Sequence, residues 1–330
     1  MLACPRVVPA PVAQLIAWAT RYAELDGSSN PAPLPALLFD STGDPWPLSH
    51  CFPTFAVLDH AARAQRFARI GAIAAHPHLD LRLIGERRRD LTSHMPASAR
   101  WIVAGHLVEV LGEQAGMLDA LLSQPRHIRL YTSATAFARD GGVAGGDYDP
   151  RRERIQLGLA RLFEGFYAMR PGVAPLLHEL GHMLDALDVA SGRMTHGQGL
   201  LPGLDPRDGP LYDADARHAF VAGKALERAR YEAIRLGAAQ PNAGASLPIG
   251  HPYVFQNDGE FIAGYLELFF RTPNRFATLN PTLYTGFATL LRQDPRPAWP
   301  EDFGWYAQEN QAVYLRGEPL APAGISVPDA

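Results

Sequence analysis

Apolar residues recur at helical spacing over residues 11–25 (PVAQLIAWATRYAEL) and again from Pro53-Thr54 to near His76-Pro77, which predicts two helices. Residues 27–53 between them are rich in Gly, Pro and Ser and are expected to form a long irregular connection. A third helical pattern runs from about Ala97 to Leu122, weakened around Gly112 and Gly116. The period then shortens to two. Residues 127–131 (HIRLY) and 154–160 (RIQLGLA) alternate and are rich in β-formers, so two strands are expected, with a glycine-rich loop at 140–150.

Helical spacing returns after Pro171-Gly172, and Val173–Asp188 is expected to be a helix. Residues 191–212 and 237–252 read as loops. Between them Asp213 or Asp215 should cap a long amphipathic helix that runs through about Leu236. Asp258–Arg271 reads as a largely buried helix stopped by Thr272-Pro273, and Asn280-Pro281 should cap a last helix through about Leu291. The Pro-rich tail after 294 is expected to wrap the surface, and no internal repeat is present. The whole reads as an α+β chain, mainly α, with a small sheet near its middle. Residues 1–80 would be an N-terminal helical extension and residues 81–330 the main domain.

Composition changes this picture little. With 47% hydrophobic and 19% charged residues, a chain of 330 residues can bury a real core. A net charge of −4 and a longest basic run of only Arg87-Arg88-Arg89 argue against a nucleic-acid partner. Two cysteines, Cys4 and Cys51, rule out a disulfide framework or an all-thiolate zinc site. No uncharged run of 18 apolar residues predicts a membrane span. The first residues lack the charged and apolar regions of a secretory signal, so the cytoplasm is the expected location.

The chemistry concentrates at residues 178–185, HELGHMLD. On a helix, positions i and i+4 share a face, so His178 and His182 can aim imidazole nitrogens at one metal ion. Glu179 is turned about 100° from His178, where it can act as general base on a water rather than as a ligand. Burying three ionisable groups in VAPLLHELGHMLDAL needs compensation, and a zinc ion supplies it. The competing reading is a pair of hydrogen-bonded core histidines beside a buried glutamate.

A catalytic zinc wants a third protein ligand. Three carboxylates qualify. Asp188 lies six residues past His182, but without a glycine at 185 an unbroken helix carries it off the metal face. Glu260 stands near the start of the apolar segment DGEFIAGYLELFF, where a second helix could press its carboxylate against the first. Glu267 shares a face with Glu260, and Gly264 between them would let two helices approach closely. Asp185, one turn past His182, could fix the imidazole tautomer, or be a plain surface aspartate. Tyr253 could donate to a developing oxyanion, or be an aromatic packed under a loop.

HELGHMLD, followed much later by Tyr253 and GEFIAGYLELFF, resembles the Mlc titration factor A (MtfA) family of zinc peptidases. The catalytic domain of anthrax lethal factor is similar in the same two segments. RHIRLYTSATAF is similar to the strand that precedes the metal helix in that family, and the resemblance spans roughly residues 85–295. It implies a zincin-like fold with the sheet beside the HExxH helix, zinc on His178, His182 and Glu260, and Tyr253 as a catalytic tyrosine. It leaves Asp185 and Glu267 as supporting residues around the metal. The 78-residue spacer from His182 to Glu260 is longer than the family pattern, with glycine-rich inserts in it.

The expectation is therefore a zinc-dependent metallopeptidase with Glu179 as general base. Its partner would be a peptide or protein substrate, with an aminopeptidase-like preference for short peptides implied by the resemblance. The alternative is a regulatory protein-binding module that keeps the fold with little turnover. A toxin-like secreted protease is a third reading, resting on the lethal-factor similarity alone.

Overall fold

The computed structural model describes residues 52–95, 97–142, 145–159, 161–162, 173–240, 246–298, 302 and 304–329. The helix expected over 11–25, most of the connection expected over 27–53, and both cysteines lie outside these residues. The chain is α+β and mainly helical, with one small four-stranded sheet. It divides into two compact units, one ending at Glu179 and the other beginning at Leu180. The division runs through a single helix.

In the first unit, α1 (Pro53–Ala56) and α2 (His60–Ala74) replace the one helix expected from Pro53 onward. Asp59 causes the break. Its carboxylate accepts a hydrogen bond from the Ala62 amide at 2.8 Å and caps α2 instead of continuing α1. The third pattern likewise divides into α3 (Ala97–Leu111) and α4 (Ala115–Leu122), with the break at Gly112. Gly71 of α2 sits close against the Trp101 ring of α3, where a methyl group would meet the ring at 3.3 Å.

The sheet has the order β1-β2-β4-β3 and is built from β1 (Leu79–Ile84), β2 (Arg126–Tyr131), β3 (Gly146–Asp149) and β4 (Arg154–Gly158). β1, β2 and β4 run parallel, and β3 lies antiparallel on the edge. The expected strands are β2 and β4. The alternation in LDLRLI that makes β1 is as regular as theirs, although no element is expected there. β3 corrects the glycine-rich loop expected over 140–150. Its one glycine, Gly146, is accommodated because the strand lies too close to the Glu179 and Leu157 side chains for a Cβ. Leu79, Leu81, Leu83, Ile128, Leu130, Ile155 and Leu157 bury one face of the sheet. Asp80, Arg82, His127, Arg129, Arg154 and Gln156 stand on the other. α5 (Ala134–Arg139), capped by Ser133, follows β2.

α6 (Pro175–Asp185) carries the chain from the first unit into the second. It ends three residues before the expected Asp188. Leu187–Asp188 instead forms β5, paired antiparallel with β6 (Arg193–Met194). α7 (Ala214–Arg235) is capped by Asp213, which accepts from the Ala216 amide at 2.9 Å. α8 (Asp258–Arg271) has the expected bounds and is buried along nearly its whole length.

Thr272-Pro273 ends α8 as expected, and a further helix follows at once. Proline has no amide to leave unsatisfied at a first helical position, and α9 (Pro273–Leu279) begins there. α10 (Pro281–Leu291), capped by Asn280, packs on α7 with Gly223 against Leu283 and Gly286 against Phe220. The tail holds a further helix, α11 (Gly304–Leu315), fixed by the buried Tyr314 hydroxyl donating to the Gly250 carbonyl at 2.7 Å. Only after Gly317 does the chain run as the surface segment expected. A buried carboxylate, Glu227, ties α7 to the rest: it accepts from Arg230, the Ile249 amide, Asn280 and the Tyr265 hydroxyl. Among the described residues, no helix is long and apolar enough to cross a membrane.

Candidate metal centre

α6 and α8 position the site. Leu176, Leu177, Leu180, Met183 and Leu184 bury the greater part of α6, leaving His178 and His182 half-buried on its remaining face. α8 begins with Asn257, whose side chain accepts from the Glu260 amide at 2.9 Å. This cap fixes the first turn of α8 and with it the direction of the Glu260 side chain. Gly181 lies where α6 meets α8. A methyl group there would stand 2.6 Å from the Ala263 Cα, so the two backbones touch.

The ligand atoms of His178, His182 and Glu260 lie within 4.8 Å of one another. His182 Nε2 and Glu260 Oε2 are 3.6 Å apart. Two donors at zinc–ligand distances of about 2.0–2.1 Å in a tetrahedral shell are separated by roughly 3.4 Å, so this donor set fits that metal. Two neutral-capable imidazoles and one carboxylate also suit its chemistry. This is the one such group of three among the described residues. Asp188 is outside it. Its carboxylate is held below the usual range by the Ser191 hydroxyl, which donates to it at 2.5 Å. Glu267, two turns along α8, is 3% exposed and is also outside the group.

Glu179 is 5% exposed. Its Oε1 would be 2.9 Å from a methyl group on Gly146, the first residue of β3. The carboxylate therefore packs against the backbone of the sheet's edge strand, and any larger residue at 146 would displace it.

Asp185 is buried, and its Oδ1 accepts from three successive amides, Gln198, Gly199 and Leu200, at 3.1, 2.8 and 3.1 Å. Burial pushes its pKa up, against the pull of these amides and of the His182 charge. Its Oδ2 and the His182 Nδ1 both face Gly259, whose added methyl would lie 3.5 and 3.2 Å from them. The aspartate thus holds the 198–200 loop and sits on the side of His182 turned away from Glu260.

Tyr253 lies in the turn Pro252–Phe255, capped by His251, whose Nδ1 accepts from the Tyr253 amide at 3.2 Å. Its hydroxyl is 3.8 Å from where a Cβ on Gly264 would be. Gly264 is four residues past Glu260, so the phenol reaches the Glu260 face of α8 one turn along. This corrects the reading of Gly264 as the point of helix approach. That role belongs to Gly181, while Gly264 makes room for Val254 and the phenol.

Sequence reasoning also missed what anchors α8. Lys224 of α7 is fully buried and donates to Asp258 Oδ1 at 2.7 Å. Ser326 donates to the same carboxylate through its amide at 2.9 Å and its hydroxyl at 2.6 Å. Gly324 donates to the Phe255 carbonyl at 2.8 Å. A lysine on the buried stripe of an amphipathic helix was the available signal, since a buried ammonium requires a partner.

Comparison with known protein families finds no family model that matches the chain, and comparison with curated proteins finds no match.

Proposed function

We propose that the chain is a zinc-dependent metallopeptidase of the zincin-like fold, with His178, His182 and Glu260 as the metal ligands. The observation that carries this reading is the convergence of those three ligand atoms within 4.8 Å beside a buried Glu179. A zinc ion held there would act as a Lewis acid and make water a nucleophile near neutral pH.

The chain's own residues divide the remaining work. Glu179 takes a proton from the attacking water and returns it to the leaving amine. Tyr253 donates its hydroxyl proton as a hydrogen bond to the developing oxyanion. Asp185 restrains His182 from the side opposite the ligand group. β3 is the edge of its sheet and passes over Glu179, so an extended peptide pairing with that edge would bring its backbone to the carboxylate. Extended peptides are the substrate class this arrangement favours.

Elemental analysis of wild type and Glu260→Ala tests the proposal. About one zinc per chain in wild type and a clear loss in the variant supports it. Full zinc in both would remove Glu260 from the ligand set. Zinc in wild type without cleavage of any generic peptide would favour the binding-module reading instead.

A further inference from the structure

The sheet face away from Glu179 carries an unusual concentration of guanidinium groups. The register places Arg82 beside Arg129 and His127 beside Arg154. These side chains, with Asp80 and Arg152, line a recess of about 400 Å³. Gly146 pairs with Leu157, and Leu157 with Leu130, so the Glu179 carboxylate lies against the apolar face. The recess opens on the opposite one, and its argument is independent of the metal site.

The acids nearby are shared among these groups rather than paired one to one, and Asp90 also feels the Arg82 and Arg129 charges. Asp80 accepts from His127 at 2.8 Å and from Arg82 at 3.3 Å. Asp149 meets Arg152 at 3.4 Å. Asp140 is shared four ways: it accepts from the Tyr131 hydroxyl at 2.5 Å and stands 3.2, 3.4 and 3.5 Å from Arg129, Arg154 and Arg88. Asp147 accepts from Gln156 at 3.2 Å.

Arg154 is the most telling member. Its side chain is 6% exposed. One terminal nitrogen donates to Gln156 at 2.9 Å, but its Nε is buried with no hydrogen-bond partner among the described residues. A buried guanidinium donor without an acceptor costs free energy, and the same side chain lines the recess. Burial and the neighbouring charges of Arg129 and Arg152 also disfavour its charged form, while Asp140 only partly compensates.

We propose that this recess binds a phosphate group, with Arg129, Arg152 and Arg154 as its donors and Arg82 and His127 at its rim. Several converging guanidiniums match a doubly charged tetrahedral oxyanion better than a planar monocarboxylate. The recess is larger than a phosphate ion, which favours a small phosphate monoester as the ligand.

Calorimetric titration of the full chain with inorganic phosphate, phosphoserine and acetate, at constant ionic strength, is the test. Wild type should take up one phosphate or phosphoserine per chain, with acetate at least ten-fold weaker. Arg129→Gln and Arg152→Gln alter partly exposed side chains, and each should weaken phosphate uptake at least ten-fold while the far-ultraviolet dichroism is unchanged. Tighter phosphoserine than phosphate supports a monoester ligand, and equal affinity supports binding of the phosphate group alone. No saturable uptake of either at millimolar concentration overturns the proposal. So does uptake that both variants leave unchanged, since the anion would then bind elsewhere.

Discussion

Gly181 and Ala263 bring α6 and α8 into backbone contact, and the distance between the two histidines and Glu260 depends on that contact. Alanine at 181 would raise helix propensity by about 1 kcal/mol. Its methyl would also stand 2.6 Å from the Ala263 Cα, an atom that cannot swing aside. Overpacking of this kind costs about 1–3 kcal/mol, so the clash wins. Gly181→Ala should lower the melting temperature and weaken zinc binding together. Unchanged zinc affinity, measured by competition with a chromogenic chelator, would show that the helix spacing does not set the ligand geometry.

Glu179 and Gly146 form the second close pair. Glu179→Gln should keep its zinc and lose about 10²–10⁴-fold in peptide hydrolysis, the usual scale for a general base. Gly146→Ala should also keep the metal, because neither residue is a ligand, but should reduce kcat by displacing the carboxylate. Cleavage at the wild-type rate by the glutamine variant would end the assignment of Glu179 as base.

Asp185 combines two roles that one substitution can separate. Asp185→Asn retains an oxygen that can accept from the Gln198, Gly199 and Leu200 amides, so the loss of stability should be small. It removes the negative charge beside His182, and a 10–100-fold weaker hold on zinc is expected. Thermal denaturation and metal competition on the same sample check both halves. A variant with weakened folding and undiminished zinc affinity would mean the aspartate serves the loop alone.

Asp140 makes stability depend on acidity. Burial acts to raise its pKa, but the Tyr131 hydroxyl and the Arg154, Arg129 and Arg88 charges overcome this and hold it below the ordinary carboxylate range. Its contribution is therefore present above the unfolded pKa of about 3.9 and lost as pH falls through the lower folded value. Wild type should lose stability over that acid window more steeply than Asp140→Asn, in urea titrations at several pH values. Tyr131 acts at the other extreme. Burial, reinforced by Asp140, pushes it up to about 12, so stability should fall as pH rises from about 10 to that value. Parallel acid limbs in the two proteins would contradict the Asp140 account.

The helices were most legible where a periodic stripe coincided with a cap. Asp213 and Asn280 mark their helices in sequence and in structure alike. The same chemistry hid the break at Asp59, because a capping aspartate inside a continuous apolar pattern reads as an ordinary polar position. Asn257 and Glu260 form the spacing of a capping box, a signal that could have located the start of α8 independently of any family likeness. β3 was illegible because its glycine, Gly146, answers to a partner distant in sequence, Glu179, rather than to local turn preference. The three-residue ligand group was readable only in part: helical geometry pairs His178 with His182, but which carboxylate folds back onto them depends on tertiary packing.

The segment around Gly324 and Ser326 gives the site a place in time as well as in space. Glu260 sits on a first turn whose leading aspartate is held by Ser326, and the turn before it is held by Gly324. During synthesis, residues 178–260 emerge from the ribosome some sixty residues before these partners do. The nascent chain would carry both histidines and the glutamate with the α8 start still untethered, so ordered assembly of the centre would wait for Gly324 and Ser326. A chain stopped before Gly324 should accordingly bind zinc more weakly than one that includes Ser326, with all three ligands still present.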